Sequence, residues 1–553
     1  MKLFVSSKNR ERLDSSRLMG GLGLAAVLVL AASPAFAAGS RAQDEVTRNF
    51  DKTLTLGAGQ SVRVEHKFGE VKVHGEAGRE VKISAVIRAQ ASSHEEAESF
   101  AQKIQIEVQQ TADGVSIRTI YPPEEYKWFH ISKRSSWSVS YDIGMPADAP
   151  LNIRNSFGSV NVARVHGAVE VDNGYGSLTV QEAGPVRLNN SFGSIELSSV
   201  AGNAVVNNKN SSVQVSDVKG TLEVQDRFGS ITVRNIQGGA TITGGNGAIT
   251  LDGAASATVT TSFGNVDTKN IRGDLSVHDN NGNVDIISIA GSLDVTDSFG
   301  NVTFTDVKGR VNCTTNNGRV KASALTGPSV TIRDSFGNLE LENSNGALDA
   351  ETSNGKITVR DIRGVVTLKS SFGAIEATNV PKGIRAITGN GAITLTDIGA
   401  DVYAKTSFGS INADRINGNL TADDSNGSVT ARNIKGDATA TTSFSGVTLE
   451  SVGGRIRVDN QNGAIAVTAL RPASGCRDIS LKTSFSSIRV RIPDGVGYNV
   501  SARTSFGRVS SEIPVTATGN IGGDSLNGTI GGGGGCQLQL IDSNGSIEIA
   551  KAP

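Results

Sequence analysis

The chain has 553 residues, of which 65 are glycine and 5% are aromatic, and its formal net charge is −1 at pH 7. Residues 1–37 carry five of the basic and two of the acidic residues, so the remainder has a net charge of −4. Such a chain lacks the positive field with which proteins attract nucleic acids, and the composition therefore excludes nucleic acid as a partner.

Residues 1–37 have the organisation of a signal peptide. A basic segment precedes an apolar run from Leu18 to Ala32, and Ala35-Phe36-Ala37 has the small-x-small pattern of a cleavage site. The apolar run is too short for a comfortable membrane span, which disfavours a retained anchor. We expect an exported protein, periplasmic, on the cell surface or extracellular, with no transmembrane segment after signal removal.

Residues 38–150 alternate apolar and polar residues in short segments, as half-buried strands do. Residues 92–103 instead form an amphipathic stretch that begins with Ser92 and Ser93, which are suitable helix caps. We therefore predict a small β-rich N-terminal domain with one short helix. The predicted strands cover residues 51–56, 61–66, 70–74, 80–88, 104–108, 114–121 and 137–143.

Six aromatic residues cluster within this domain, and we consider them the candidate ligand-binding residues. They are Tyr121, Tyr126, Trp128, Phe129, Trp137 and Tyr141. Tryptophan and tyrosine make efficient contact surfaces, so the cluster could be a recognition site. The alternative is that these rings cover and seal the first part of the repeat region that follows.

From residue 151 to 470 the chain consists of repeats. A Ser-Phe-Gly phrase, or a close variant of it, recurs every 35 to 37 residues, and a second phrase with Asn at the Phe position lies halfway between the copies. The Phe positions are Phe157, Phe192, Phe228, Phe263, Phe299, Phe336, Phe372, Phe408 and Phe444. The Asn positions are Asn246, Asn281, Asn317, Asn354, Asn390, Asn426 and Asn462, with Tyr175 and Asn210 as variants. The structural unit is therefore about 18 residues long, which indicates a solenoid.

Each unit contains short runs in which Val, Ile or Leu alternates with polar residues, as in strands with one buried face. These strands can pair in parallel with the equivalent strands one unit later. We predict an all-β fold, a right-handed parallel β-helix of 18 coils between Phe157 and Asn462. At about 4.8 Å per coil, the helix would be roughly 85 Å long.

The recurring Phe residues form a regular structural row at the turns, and this row has two interpretations. The rings could fill the corner of each coil beside the glycine, or they could form an exposed row that stacks on a glycan or another repetitive polymer. The strict use of Phe favours the first interpretation, because sugar-binding rings usually keep a polar edge.

The Asn residues suit tight turns and can hydrogen-bond along a stack. Calcium is the alternative, but the repeat lacks the regular Asp spacing of calcium-binding β-rolls. Asp172, Asp279, Asp297, Asp334 and Asp424 precede only some of the turns. We therefore predict no metal and no cofactor.

Residues 471–553 break the spacing and should form irregular coils and a cap. Cys476 and Cys536 lie there, 60 residues apart, whereas Cys313 falls at a Val position of the repeat and should be a buried apolar residue. Export permits a disulfide between Cys476 and Cys536, but only if their Cα atoms approach within about 7 Å. Both outcomes stay open.

The sequence contains no Gly-x-Ser-x-Gly, no Cys-x-x-Cys and no histidines at metal-ligand spacing, so we predict no catalytic residues and no enzyme. Val62–Val73, Val139–Pro146 and Leu526–Gly533 resemble the exported bacterial β-strand-repeat proteins that are grouped as adhesins on the basis of shape. The function of that family is largely unknown. The resemblance implies a non-enzymatic binding protein of the cell envelope or the medium, with a glycan, an envelope polymer or a protein surface as partner. The alternatives are a scaffold that assembles end to end and, less favoured, a polysaccharide-active enzyme.

Overall fold

The computed structural model describes residues 44–122, 135–469, 475–518 and 522–552. These residues form two β-sheets and one helix, His94–Lys103, whose N-cap Ser93 accepts a hydrogen bond from the amide of Glu96. The two sheets enclose one continuous aliphatic core. Among the described residues, no helix has the length and apolar character needed to cross a membrane.

The first sheet contains 25 strands. In chain order they are Asp44–Thr55, Val71–Glu76, Glu80–Ala91, Ser136–Pro146, Val160–Ala163, Leu178–Ala183, Ile195–Val200, Val213–Val218, Ile231–Ile236, Ile249–Ala254, Val266–Ile271, Val284–Ile289, Val302–Val307, Val320–Leu325, Leu339–Ser344, Ile357–Ile362, Ile375–Val380, Ile393–Ile398, Ile411–Ile416, Val429–Ile434, Val447–Val452, Ile465–Ala469, Ile488–Ile492, Val509–Ser511 and Ile547–Lys551.

The second sheet contains the remaining strands. They are Ser61–Glu65, Gln105–Thr111, Gly114–Ile120, Leu151–Phe157, Val169–Tyr175, Val186–Phe192, Ala204–Asn208, Leu222–Asp226, Gly239–Gly244, Ser256–Thr260, Leu275–His278, Leu293–Thr296, Val311–Thr314, Ser329–Arg333, Ala347–Thr352, Val366–Ser370, Ile384–Thr388, Val402–Thr406, Leu420–Asp424, Ala438–Thr442, Ile456–Asn460, Ile479–Lys482, Tyr498–Arg503, Val515–Ala517, Ser525–Ile530 and Gln537–Ile541.

One coil consists of a strand of the second sheet, a Phe or Asn turn, and a strand of the first sheet. Each strand pairs in parallel and in register with its counterpart one coil later, so that Val160 lies beside Leu178 and Leu178 beside Ile195. The prediction of a parallel β-solenoid with about 18 turns of about 18 residues is confirmed. Its right-handed sense stays a prediction.

The core is built from columns of aliphatic side chains that repeat from coil to coil. The first and third residues of a typical strand are buried, and their neighbours face solvent. Cys313 is fully buried in one such column, between Val295 and Ile332, as the repeat template predicts. Each side chain packs mainly against the coils above and below it, so stability accumulates coil by coil.

A second corner lies at the end of most solenoid strands of the first sheet, and the sequence pattern alone did not indicate it. One residue there has a positive φ, as in Asn235 (54°) and Asp217 (58°), and Asn or Asp occupies many of these positions. Both residue types tolerate this left-handed conformation better than most others. Their side chains also bond between coils, since Asn235 Nδ2 donates to Asp217 Oδ1 at 2.6 Å. The kink returns the next apolar residue to the core.

The N-terminal end is closed by antiparallel strands. Residues 61–76 form a coil that lies between two pairs of strands. Gly114–Ile120 and Ser136–Pro146 are on one side, and Leu151–Phe157 and Val160–Ala163, which follow them in the chain, are on the other. Gln105–Thr111 covers the outer edge of the second sheet, while Glu80–Ala91 and Asp44–Thr55 extend the first sheet. The helix packs against these last two strands.

The C-terminal end is also closed by an inserted coil and an antiparallel strand. Residues 537–551 form a coil that lies between the consecutive coils of residues 479–492 and 498–511. Cys476 and Cys536 form a disulfide with Cα atoms 5.8 Å apart, directly before the two paired strands of the second sheet. The antiparallel strand Ser525–Ile530 then covers the outermost long strand.

Candidate binding surface

The Phe and Asn turns bring neighbouring coils into very close contact at the glycine that follows. A Cβ atom on Gly355 would lie 1.6 Å from the carbonyl oxygen of Gly337, and one on Gly373 would lie 1.8 Å from that of Gly355. No side chain fits between these backbones, which explains why glycine follows the turn residue in nearly every coil. The bulky turn residue must therefore point elsewhere.

The inner corner of the turn is filled by a polar side chain two residues before the Phe or Asn position. Thr406 is typical, because its Oγ1 donates to the carbonyl of Gly391 at 3.0 Å and accepts from the amide of Gly409 at 3.3 Å. We name this column the turn ladder. Its buried members are Asn155, Asn173, Asn190, Asn208, Asp226, Thr261, Asp279, Asp297, Thr315, Asp334, Thr352, Ser370, Thr388, Thr406, Asp424, Thr442, Asn460, Thr483, Thr504 and Asp542.

The phenylalanine rings lie outside the coil. The exposed fraction of these residues ranges from 42% at Phe157 to 66% at Phe408. The favoured interpretation, that the rings fill the corner, is therefore wrong, because the turn ladder already occupies that space. We name the exposed row the phenylalanine edge. It consists of Phe157, Phe192, Phe228, Phe263, Phe299, Phe336, Phe372, Phe408 and Phe444.

The spacing of the rings changes along this edge. At the N-terminal end Phe68, Phe157, Tyr175 and Phe192 form a continuous stack, with successive ring centroids 5.3, 4.9 and 4.6 Å apart. After Phe192 an aromatic ring occurs only on every second coil. Since neighbouring coils are about 4.8 Å apart, successive rings are separated by about 10 Å.

The Asn residues of the intervening turns lie against the backbone. Asn426 Nδ2 donates to the carbonyl of Ser407 at 2.8 Å, and Asn462 Nδ2 donates to that of Ser443 at the same distance. Each bond reaches the serine that precedes a phenylalanine of the coil before. The amides are held at the surface of the edge, and the rings project between them.

The described members of the aromatic cluster in the N-terminal domain are packed against the end of the solenoid. Tyr141 is 2% exposed, and its hydroxyl contacts Thr119 Oγ1 at 2.6 Å. Trp137 packs on Phe100 of the helix, with ring centroids 4.5 Å apart. Tyr121 Oη accepts from the amide of Phe68 at 3.2 Å. These three rings seal the first coil, while Tyr126, Trp128 and Phe129 lie outside the described residues.

An open groove of about 880 Å³ runs beside this cluster. Its two acidic residues are each paired with an arginine, since Arg118 Nη2 lies 2.7 Å from Glu65 Oε2 and Arg154 Nε lies 3.9 Å from Asp172 Oδ2. Burial lowers the pKa of His66 to about 4, so that the imidazole is neutral at physiological pH. Thr119 Oγ1 lies 3.0 Å from His66 Nδ1. The groove is thus a polar surface with a structural, uncharged histidine at its margin.

Two buried carboxylates of the turn ladder, Asp279 and Asp297, lie on adjacent coils. Burial and the neighbouring charge of Asp279 raise the pKa of Asp297 to about 6, and burial also raises the pKa of Asp279. Asp334, by contrast, accepts hydrogen bonds from Thr315 Oγ1 at 2.6 Å and Thr352 Oγ1 at 3.2 Å. Within residues 44–122, 135–469, 475–518 and 522–552, no group of three or more His, Cys, Asp or Glu residues is placed to hold a metal ion.

Replacement of Asp297 by asparagine is expected to stabilise the protein at pH 7.5 by about 2 kcal/mol. The folded state binds a proton at Asp297 up to pH about 6, whereas the unfolded chain releases it near the ordinary value of 3.8. The wild type should therefore gain stability as pH falls from 7 to 4, and Asp297→Asn should lose that gain. Asparagine already occupies the same ladder position at Asn190 and Asn460.

Thermal unfolding of wild type and Asp297→Asn at pH 7.5 and 4.5 measures this effect. Asp334→Asn is the matched control, because it removes a carboxylate that accepts three donors. The control should not be stabilised at pH 7.5. Equal behaviour of the two variants at both pH values would contradict the assignment.

Comparisons with known proteins leave the family open. No family model matches the chain, and no curated protein matches it. Among solved structures, the chain is similar to a "putative cell adhesion protein" from Clostridium sporogenes ATCC 15579, at 8% sequence identity. The match covers 92% of this chain and all of the other, with a TM-score of 0.16. A similarity this low carries no argument about function.

Proposed function

We propose that this chain is an exported, non-enzymatic, adhesin-like rod that binds its partner through the phenylalanine edge. The observation that carries the proposal is the row of nine aligned rings, each between 42% and 66% exposed. Apolar groups that are exposed together at a protein surface often mark an interaction site, whereas single exposed apolar residues do not. The solenoid supplies a rigid support that holds all nine rings in line.

The non-enzymatic part of the proposal is supported by the uniformity of the coils. Between residues 151 and 469, the connections between successive strands have at most five residues. Enzymes built on β-helices place their catalytic groups in a cleft, which requires longer loops or a cluster of titratable side chains. In the groove at the N-terminal end, the two carboxylates are each paired with an arginine instead.

The scaffold alternative is disfavoured by the ends of the solenoid. End-to-end assembly needs unpaired parallel strands at both ends. Antiparallel strands occupy three of the four sheet edges here, and the fourth, the parallel strand Val509–Ser511, has only three residues. Sedimentation of the purified protein without ligand should therefore give a single monomeric species.

The test is binding of the protein without residues 1–37 to whole cells and to isolated envelope polymers. A variant with Phe299, Phe336, Phe372 and Phe408 replaced by Asn should fold, because Asn occupies this position in the alternate coils. It should bind at least about tenfold more weakly. A variant with Ile287→Asn and Val365→Asn removes exposed apolar groups elsewhere and should bind like the wild type. Equal loss in both variants, or no loss in either, would contradict the proposal. Fractionation of expressing cells tests export.

A further inference from the structure

We infer that the phenylalanine edge from Phe263 to Phe444 binds an extended, uncharged, β-1,4-linked polysaccharide that lies parallel to the solenoid axis. One disaccharide would correspond to two coils. This inference names the ligand class of the surface in the proposed function and rests on that function.

The first argument is the period of the edge. Rings recur on every second coil, at about 10 Å, which is close to the length of one disaccharide in an extended β-1,4-linked chain. Successive sugars in such a chain are turned over relative to one another, so every second sugar presents the same face. A row of rings on alternate coils can therefore meet equivalent C–H faces along the whole chain. The coil period fixes this spacing, because each turn is held to its neighbour through the stacked glycines.

The second argument is the chemistry between the rings. Serine precedes every phenylalanine from Phe263 to Phe444, and amide or hydroxyl side chains occupy many of the flanking positions. Directly after the turn glycines of this stretch, the exposed charged residues are Arg319 and Lys356, whereas the aspartates two residues before the turn positions are buried. Aromatic rings alternating with neutral hydrogen-bonding groups match a ligand with apolar faces and hydroxyl edges. An anionic polymer would instead require a row of positive charges.

The third argument concerns the other occupants of an apolar row. A second copy of the chain or another folded protein prefers a contiguous apolar core from which water is excluded. Here polar amides separate the rings. Asn426, for example, lies on the coil between those of Phe408 and Phe444, and its side chain donates to the carbonyl of Ser407. A lipid surface would require the apolar groups to lie next to basic residues. We therefore treat binding of a protein or of a lipid surface as an alternative outcome of the test.

Isothermal titration with cello-oligosaccharides and chito-oligosaccharides of two to ten sugars tests the inference. If rings engage successive disaccharides, affinity should rise about threefold or more with each added disaccharide, until the oligosaccharide spans the row. An α-1,4-linked oligosaccharide series of the same lengths is the matched ligand control, because its coiled chain cannot keep the period. It should show no comparable length dependence.

Two variants locate the site. Phe336→Asn with Phe372→Asn interrupts the row in the middle, and should reduce the affinity for the ten-sugar chain at least about tenfold while leaving disaccharide binding nearly unchanged. Ile287→Asn with Val365→Asn should leave the length series unchanged. Circular dichroism of both variants verifies that the coils remain folded.

The outcomes separate the ligand class from the proposed function. Loss of cell binding in the four-Phe variant, together with no length-dependent binding of β-1,4-linked chains, would overturn this inference and keep the adhesin-like function. Self-association or binding to neutral phosphatidylcholine vesicles that depends on the same rings would also overturn it. Wild-type protein that binds neither cells, envelope polymers nor oligosaccharides would remove both proposals.

Discussion

Replacement of Gly355 by alanine is expected to destabilise the coils around it by about 3 kcal/mol. The added Cβ would lie 1.6 Å from the carbonyl oxygen of Gly337, 2.4 Å from its carbonyl carbon and 3.1 Å from the amide nitrogen of Asn338. All three atoms belong to backbone that is held by the neighbouring coils. Relief of the clash must therefore move several coils, and a rotamer change cannot provide it.

The measurement is hydrogen exchange of the amides in residues 337–373, combined with thermal unfolding followed by circular dichroism. Exchange should accelerate in this stretch and much less near residues 160–200, because coils are coupled mainly to their neighbours. Gly523→Ala is the control, since a Cβ there has no atom within 4 Å. Unchanged exchange around Gly355 would show that coil spacing does not require glycine.

The regular part of the fold could be predicted because its determinants are local and repeated. Apolar and polar residues alternate in segments such as Val160–Ala163 and Leu178–Ala183, which defines a buried face. The nearly constant offset of about 18 residues then indicates that each strand pairs with the equivalent strand of the next coil. The helix at His94–Lys103 was likewise evident from its serine cap and acidic first turn. In these segments local preference and tertiary pairing agree.

The ends could not be predicted in the same way. Residues 61–76 pair with the strands Gly114–Ile120 and Ser136–Pro146 on one side and with the coil of residues 151–163 on the other, and residues 537–551 enter between two coils that are consecutive in the chain. Alternation identifies each strand but contains no information about a non-local order. Several stacking orders of these strands would bury the same side chains. The cost of closing the long connecting loops, which the local sequence pattern does not show, selects among these orders.

The orientation of the phenylalanines was wrongly predicted for a packing reason. A Phe beside a Gly suggests a ring that fills the space left by the missing Cβ, yet at Gly355 that space contains the carbonyl of the coil before. The informative signal was the residue two positions earlier. Asn, Asp, Thr or Ser occupies that position in nearly every coil, and these side chains are buried.

Removal of the disulfide through Cys476→Ser and Cys536→Ser is expected to destabilise the C-terminal region by about 4 kcal/mol, according to the chain-entropy model for a closed segment of this length. The bond spans 60 residues and ties Ile479–Lys482 to Gln537–Ile541. The latter strand belongs to the coil inserted between two others. Once released, this coil must find its place without a covalent link to its neighbour.

Hydrogen exchange over residues 498–511 and 537–551 should therefore accelerate in the double variant, whereas residues 300–360 should exchange as in the wild type. Thiol labelling provides an independent check. Native protein should not react without reductant, because Cys313 is fully buried and burial raises the pKa of its thiol. Mild reduction should expose two reactive thiols and reproduce the exchange pattern of the variant. If reduction leaves the inserted coil as protected as before, the coil is held by its sheet pairings alone, with Leu538 between Ile479 and Val500, and the disulfide contributes little to the closure of this end.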